Sequence, residues 1–295
     1  MHAPEEDPDS ALTERLRTGP PLTAVELRPP APDLPQRDSI DTWIDLHHAI
    51  RRLTRDDSLV FLTDDAVGER EEENLRHLTT NLAGAVDLGR VVPFLTCKHS
   101  LSYCLNYAQR AASAGLRALT VLGGDTSSGP PRCVEHAYIL RKEIRRRVPS
   151  LALGGWANPH GDPARQVGYL RDDDFCAEYY LTQVVSHHQM DRVEAFLGEV
   201  RKQAVDLPAV FGVFYYRSAN PGTLERLDRY FPVPAEELER EFGRGDDAAD
   251  ICARTVRALR DAGVRHVYVS NLPPQHAPDH RRRVLERVEE AAAGE

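Results

Sequence analysis

The sequence is poor in lysine and has no long apolar run. Arginine carries the positive charge beside three lysines, Lys98, Lys142 and Lys202, and the formal net charge is −9. Because nucleic-acid-binding surfaces are basic, this acidic balance argues against a nucleic-acid partner. No apolar stretch approaches the roughly 20 residues that a membrane-spanning helix needs, so no membrane partner is expected either.

The cysteines argue against a disulfide framework and against a structural zinc site. There are five of them, without a CxxC pair and without a histidine at zinc-ligand spacing. His187 and His188 are adjacent, and adjacent histidines do not easily share one ion. With no third ligand recognisable, we predict no metal site. The acidic, proline-rich start "MHAPEEDPDS" is unlike a signal peptide, which predicts a cytoplasmic protein.

A regular alternation of β-rich and helical segments follows a short leader. We predict that residues 1–20 form a disordered N-terminal leader and that residues 21–295 form one domain. Within that domain, eight short apolar runs have the character of strands. They lie at 23–27, 58–63, 91–96, 118–123, 151–156, 178–184, 209–215 and 265–271.

The stretches between these runs have helical periodicity. Examples are 40–54, 69–84, 101–113, 188–203 and 247–262. Ser100 is placed to cap one helix, and Gly115 and Gly263 stand where a helix end needs a positive φ. Near-continuous apolar strands covered by helices indicate a parallel sheet, and eight such units predict an α/β fold, a closed (β/α)8 TIM barrel. The alternative is a doubly wound open sheet, which favours a glycine-rich loop after the first strand. This chain has "LRPPAPDLP" there.

Polar residues recur at the carboxyl ends of the predicted strands, where TIM barrels place their active sites. They are Glu26, Thr63, Thr96, Asp125, Gln183 and Asn271, with Trp156 and His160 in the loop "GGWANPHGD". Glu26 is the most informative, because a lone carboxylate flanked by Val25 and Leu27 is costly to bury.

Several of these residues also have a purely structural interpretation, which the sequence leaves open. Glu26 can pair with Arg28, Asp125 can cap the next helix, Gln183 can be a satisfied core amide, and Trp156 and His160 can pack in their loop.

Six short motifs together resemble one known family. They are "VELRPP" (25–30), "FLTC" (94–97), "LGGD" (122–125), "GWANPHGDP" (155–163), "YLTQ" (180–183) and "VYVSN" (267–271). In order and approximate spacing they are similar to motifs of the methylenetetrahydrofolate reductase family, flavoprotein (β/α)8 barrels that reduce a folate. The resemblance extends over residues 22–273.

The resemblance implies catalytic roles for two acids. Glu26 would be the general acid that opens the imidazolidine ring of 5,10-methylenetetrahydrofolate, and Asp125 would stabilise the cationic folate. Desolvation at an apolar barrel mouth raises the pKa of a carboxyl, as a proton donor near neutral pH requires. Gln183 would hydrogen-bond the pterin, and Tyr216 is a candidate to stack on the folate.

The flavin site of the family is only partly present. Positions that correspond to cofactor contacts are Thr63, Gly124, Trp156, His160 and Arg171. Phe94 and Gly123 replace a histidine and an arginine of the family motifs, and the acids at 172–174 replace a basic group near the FAD diphosphate. Two routes for hydride therefore stay open: FAD held by fewer charged contacts, or direct transfer from NADH or NADPH. The retained loop "GGWANPHGDP" (154–163) favours FAD as the expected cofactor.

Two other functions are compatible with the same residues. A folate-dependent one-carbon enzyme would generate the iminium without transferring hydride, and a non-catalytic accessory barrel would do neither. The expected partner is a small folate, and a homo-oligomer is left open.

Overall fold

The computed structural model describes residues 10–64, 73–82, 84–125 and 129–292. Eight parallel strands are hydrogen-bonded in sequence order, and the last pairs with the first to close a barrel. The fold is a single-domain (β/α)8 TIM barrel, as predicted, and the doubly wound alternative is wrong. The strands are β1 (Leu22–Leu27), β2 (Val60–Leu62), β3 (Val91–Thr96), β4 (Ala118–Leu122), β5 (Ala152–Ala157), β6 (Tyr179–Val185), β7 (Ala209–Phe214) and β8 (His266–Ser270).

Helices cover the outside of the barrel. They are α1 (Ser10–Thr18), α2 (Gln36–Arg55), α3 (Asn74–His77), α4 (Leu101–Ser113), α5 (Ala137–Arg147), α6 (Pro163–Arg171), α7 (Met190–Lys202), α8 (Pro221–Asp228), α9 (Ala235–Gly243), α10 (Ala248–Asp261) and α11 (Ala277–Ala292). The described part of the predicted helix 69–84 is the short α3, continued by a π-helical turn at Leu78–Leu82. In the described ranges, no helix has the length and apolarity to cross a membrane.

The residues predicted to begin or end helices do so in the structure. The Ser100 hydroxyl accepts a hydrogen bond from the Tyr103 amide at the start of α4. Gly115 and Gly263 have φ of 94° and 93°, directly after α4 and α10. All five cysteines are free.

Helix α1 differs from the prediction of a disordered leader. Leu12 and Leu16 are buried and pack with Leu22 at the amino end of the barrel interior. The His266 imidazole is 2.7 Å from the Leu16 carbonyl oxygen through its Nε2, and Arg15 pairs with Asp57 at 2.6 Å. An amphipathic turn with two leucines on one face is therefore ordered by burial. Residues 1–9 of the predicted leader lie outside the described residues.

Aromatic side chains fill the middle of the barrel. Phe61 lies 5.9 Å from both Phe94 and Tyr268, measured between ring centroids. The Tyr268 hydroxyl donates to the Thr182 carbonyl at 2.7 Å, which satisfies its buried polar atom. Phe94, which stands where the family motif has histidine, belongs to this packed layer and is 1% exposed.

Two glycines make room for the tyrosines of this layer. A Cβ at Gly154 would lie 2.5 Å from the Tyr179 ring, and one at Gly212 would lie 2.5 Å from the Tyr268 hydroxyl. The neighbouring strand supplies the large side chain in each case. The barrel is therefore a packed core below its mouth, and any ligand site lies above these rings.

Candidate functional site

The alternation of side chains along the strands decides which strand-end residues face inward. In β1, Leu22 and Ala24 pack in the barrel interior while Val25 and Leu27 pack under the helices, so Glu26 faces the interior. The same argument places Thr63, Thr96, Trp156, Phe214 and Ser270 inward at the carboxyl ends of five other strands. Gln183 lies at the same end of the barrel, in the last part of β6, where a register shift interrupts the alternation. We call these six residues and Glu26 the mouth layer.

Glu26 combines a desolvated carboxyl with partial access to the mouth. The residue is partly exposed, yet burial is the largest influence on its carboxyl and raises the pKa above the ordinary value. A hydrogen bond from Ser270 and the charge of Arg28 act in the opposite direction without reversing the shift. Pairing with Arg28 is thus a secondary influence, and the carboxyl is suited to hold a proton that it can donate.

Ser270 is a site residue that the motif analysis did not single out. Its hydroxyl donates to Glu26 Oε1 at 2.5 Å across the β1–β8 seam, where Val25 pairs with Val269. The two residues are 244 positions apart, so no local spacing connects them. The available signal was its place at the end of the last strand, in "VYVSN".

Gln183 sits at an irregularity in β6. The register with β7 shifts between Leu181 and Val184, and such bulges re-aim side chains beside active sites. The amide Nε2 donates to the Tyr230 carbonyl at 3.3 Å, and Oε1 accepts from the Val184 amide at 3.0 Å. Each of these atoms can form a second hydrogen bond, so the amide offers a ligand both a donor and an acceptor.

Asp125 and Gly124 follow β4 at the same end of the barrel. Asp125 is half-buried, and it does not cap the next helix, because α5 begins only at Ala137 with His136 in the capping position. Gly124 has φ +74°, a conformation that favours glycine.

Two cations that the motifs did not indicate lie against the glycines at 123 and 124. The Arg132 guanidinium donates to the Gly124 carbonyl at 2.5 Å, and a Cβ at Gly123 would lie 2.7 Å from the guanidinium carbon. The Lys98 stem would be 2.8 Å from a Cβ at Gly124, and its ammonium donates to the Pro130 carbonyl at 2.9 Å. Arg132, which lies outside the six motifs, therefore lies beside Gly123, the position at which the corresponding methylenetetrahydrofolate reductase motif has an arginine.

Trp156 and His160 belong to the β5 side of the mouth. Trp156 is half-buried against the interior cluster. His160 Nε2 is 2.8 Å from the Val184 carbonyl oxygen. Because that oxygen can only accept, Nε2 carries the ring proton. The buried Nδ1 has no hydrogen-bond partner among the described residues. Burial lowers the His160 pKa, which leaves a neutral ring with an unused acceptor.

Two of the expected ligand contacts are placed otherwise, and a third, Thr63, lies in the mouth layer but is almost fully buried. Tyr216 is 6% exposed and packs on Phe214, so it is not a free stacking surface. Thr63 is 4% exposed. Arg171 is exposed at the end of α6, after which the chain enters the amino end of β6, opposite the mouth layer. With its basic member at the other end of the barrel, this set does not fit the diphosphate of FAD.

A separate groove of about 920 Å³ lies outside the barrel between α2 and the π-helical turn. Ile40, Ile44 and His47 line it, together with the Trp43 and His77 rings, which stack with centroids 3.8 Å apart. None of the site residues predicted from the sequence contributes to its lining.

Of the comparisons with known proteins, the one with solved structures supports the fold. No model of a known family matches the chain, and no curated protein matches it. A solved structure from Clostridium thermocellum is similar with a TM-score of 0.66 and 15% identity, over 93% of this chain and 99% of that chain. It is described as an uncharacterized protein that binds two copies of 5-methyl-5,6,7,8-tetrahydrofolic acid.

Proposed function

We propose that this protein binds a reduced folate at the mouth layer and reduces 5,10-methylenetetrahydrofolate to the 5-methyl form with NADH or NADPH. The observation that carries the proposal is Glu26, a carboxyl in the mouth layer whose pKa burial raises. A buried acid costs stability, and proton donation is the use that this environment suits.

The proposed reaction assigns one step to each acid. Protonated Glu26 donates to N10, the C–N10 bond breaks, and the methylene carbon becomes a 5-iminium electrophile. Hydride from the nicotinamide then adds to that carbon, giving the 5-methyl group and oxidised nicotinamide, and solvent restores the proton on Glu26. Asp125 stabilises the cationic folate, and Gln183 hydrogen-bonds the pterin edge.

Two further features support a folate as the ligand. The structural neighbour binds 5-methyltetrahydrofolate, the product of the proposed reaction, although at 15% identity the likeness establishes the fold alone. Lys98 and Arg132 supply positive charge beside β4, and a guanidinium suits a carboxylate such as the folate glutamate.

We propose direct hydride transfer because the residues expected to hold FAD do not form a diphosphate site. An absorbance scan and an NAD(P)H oxidation assay test this together. We expect a colourless protein that oxidises NADH or NADPH only when methylenetetrahydrofolate is added. A flavin spectrum would restore the FAD route, and no oxidation with either nucleotide would reject reduction.

The binding site itself is tested by two arginine variants. We expect Arg132→Ala to weaken 5-methyltetrahydrofolate binding about 10- to 100-fold, the loss of one charge-assisted hydrogen bond. Arg171→Ala is the matched control and should bind like the unaltered protein. Equal affinities for both variants would remove Arg132 from the site.

A second candidate is a folate-dependent one-carbon enzyme that does not move hydride. This function is favoured because the residues expected to hold FAD do not fit its diphosphate. The roles proposed for Glu26, Asp125 and Gln183 concern folate binding and ring opening and do not include hydride transfer. Folate binding that depends on Glu26, without nucleotide oxidation, is the result expected for this function. Folate binding indifferent to all three residues would instead indicate an accessory barrel.

A further inference from the structure

Three potential metal ligands converge outside the mouth layer. His187 and His188 follow β6 in a single 3-10 turn, and Glu241 lies near the end of α9, 54 residues after His187. His187 Nε2 is 3.0 Å from Glu241 Oε1, and His188 Nε2 is 3.1 Å from Glu241 Oε2. The ligand atoms of all three residues lie within 4.8 Å of one another.

The turn answers the objection that adjacent histidines do not share an ion. In the 3-10 turn the two rings lie side by side, with centroids 3.9 Å apart and planes at 40°, and both Nε2 atoms reach the same carboxylate. No signal in the sequence indicates the third ligand, because Glu241 comes from α9, which is separated from this turn by α7, β7 and α8.

Other side chains hold these ligands from behind. Thr255 Oγ1 is 2.9 Å from His187 Nδ1, which orients that ring. Arg254 donates to Glu241 Oε1 at 2.6 Å and is itself held by Asp246 at 2.7 and 2.9 Å. Partners of this kind orient the ligands in metal sites. Arg254 engages Glu241 Oε1 and leaves Oε2 for an ion.

We propose that His187 Nε2, His188 Nε2 and Glu241 Oε2 bind one divalent zinc ion, with water as the fourth ligand. Two imidazoles and a carboxylate form a donor set typical of zinc, whereas magnesium and calcium prefer oxygen ligands. A ring that binds zinc through Nε2 carries its proton on Nδ1, and Thr255 Oγ1 lies 2.9 Å from His187 Nδ1, where it can accept that proton.

The ion would join two segments beside the mouth, the turn after β6 and α9. Gln189, in the same turn, donates to the Pro232 carbonyl, and the Tyr230 carbonyl accepts from Gln183. The segment between α8 and α9 is thus attached to β6 and to the turn that follows it, and zinc on Glu241 would attach α9 to the same turn. In this role the ion fastens α9 to the turn after β6, and it is independent of the proposed folate chemistry.

Calorimetric titration of the full-length, chelator-treated and dialysed protein with Zn²⁺ tests the proposal. We expect one equivalent to bind and to raise the melting temperature. His188→Ala changes a partly exposed side chain and should weaken binding at least about 100-fold. His48→Ala is the matched control, since His47 and His48 are also adjacent but their centroids are 5.9 Å apart.

Glu241→Gln gives a second test, because it keeps the size of the side chain and removes the anionic ligand. A loss of Zn²⁺ binding in both His188→Ala and Glu241→Gln, with His48→Ala unchanged, supports the site. Absence of stoichiometric binding to the unaltered protein overturns it, and so does equal affinity of His188→Ala and the unaltered protein. In either case the cluster is a hydrogen-bonded clamp without an ion.

Discussion

Two carboxyls inside this molecule, those of Glu26 and Glu241, show opposite responses to burial. Burial is the largest single influence on both, yet the pKa of Glu26 is raised and that of Glu241 is lowered. Glu26 has a neutral hydroxyl as its hydrogen-bond donor, whereas Glu241 faces His187, His188 and the Arg254 guanidinium.

The neighbours of a buried acid therefore decide its chemistry. A buried carboxyl with few donors to offset its desolvation tends to retain its proton and can donate it. A buried carboxyl surrounded by guanidinium and imidazole donors stays an anion and can bind a cation. The first faces the barrel interior from a strand, and the second fastens helices outside it. Variants at both positions test this contrast.

The largest effect is expected for Glu26→Gln on catalysis. The amide preserves shape but cannot donate the proton to N10, so methylenetetrahydrofolate reduction should fall about 10²- to 10⁴-fold. Affinity for 5-methyltetrahydrofolate, measured by calorimetry, should change much less. Unimpaired reduction by this variant would remove Glu26 as the acid.

Glu241→Ala should have the largest effect on stability. Glu241 is 2% exposed, and its removal leaves Arg254 and two histidines without their shared partner. Breaking such a buried pair costs about 3–5 kcal/mol of unfolding free energy. Urea denaturation in the presence of chelator measures this cost, and a loss below about 1 kcal/mol, the upper range for exposed pairs, would contradict it.

The pH dependence of stability should have opposite signs at the two sites. A raised pKa means that Glu26 favours the native state below its unfolded value, near 4.5, and loses that contribution as pH rises through the folded pKa. The stability of Glu26→Gln relative to the unaltered protein should therefore increase with pH above 4.5.

Glu241 is the converse case. Its lowered pKa contributes stability above the unfolded value near 4.5, and this contribution is lost as pH falls through the folded pKa. The deficit of Glu241→Gln should therefore shrink in acid. Denaturation series at several pH values measure both trends, and parallel trends would refute the contrast.

The smallest effect is expected for Ser270→Ala. The hydroxyl lowers the pKa of Glu26, so its removal should raise that pKa further. One hydrogen bond is worth about 0.5–1.5 kcal/mol, which corresponds to a shift of at most about one pH unit. Because the protonated acid is active, the alkaline limb of the kcat/KM profile should move to higher pH. A limb that stays in place would show that Ser270 does not tune Glu26.

Local sequence patterns predicted much of the fold and part of the site. The alternation in "TAVEL" places Glu26 inward once a strand is assumed, and Ser100, Gly115 and Gly263 end helices by rules that need only a few neighbouring residues. The leader prediction was wrong over α1, because its two leucines gain order from the barrel end that they cover.

Pairings between distant segments were beyond sequence reasoning. Ser270 reaches Glu26 across barrel closure, Arg132 fills the space beside Gly123, and Glu241 meets two histidines from another element. No spacing in the chain encodes these distances, since they depend on how helices pack around the closed sheet.

Eight strands, several of the helices between them and the residue types at the carboxyl ends of the strands could be predicted from the sequence, because periodicity and capping are local. Which acid is desolvated and which has cationic neighbours depends on the folded structure. That depends on the charges and dipoles that folding places within a few ångströms, and these come from anywhere in the chain.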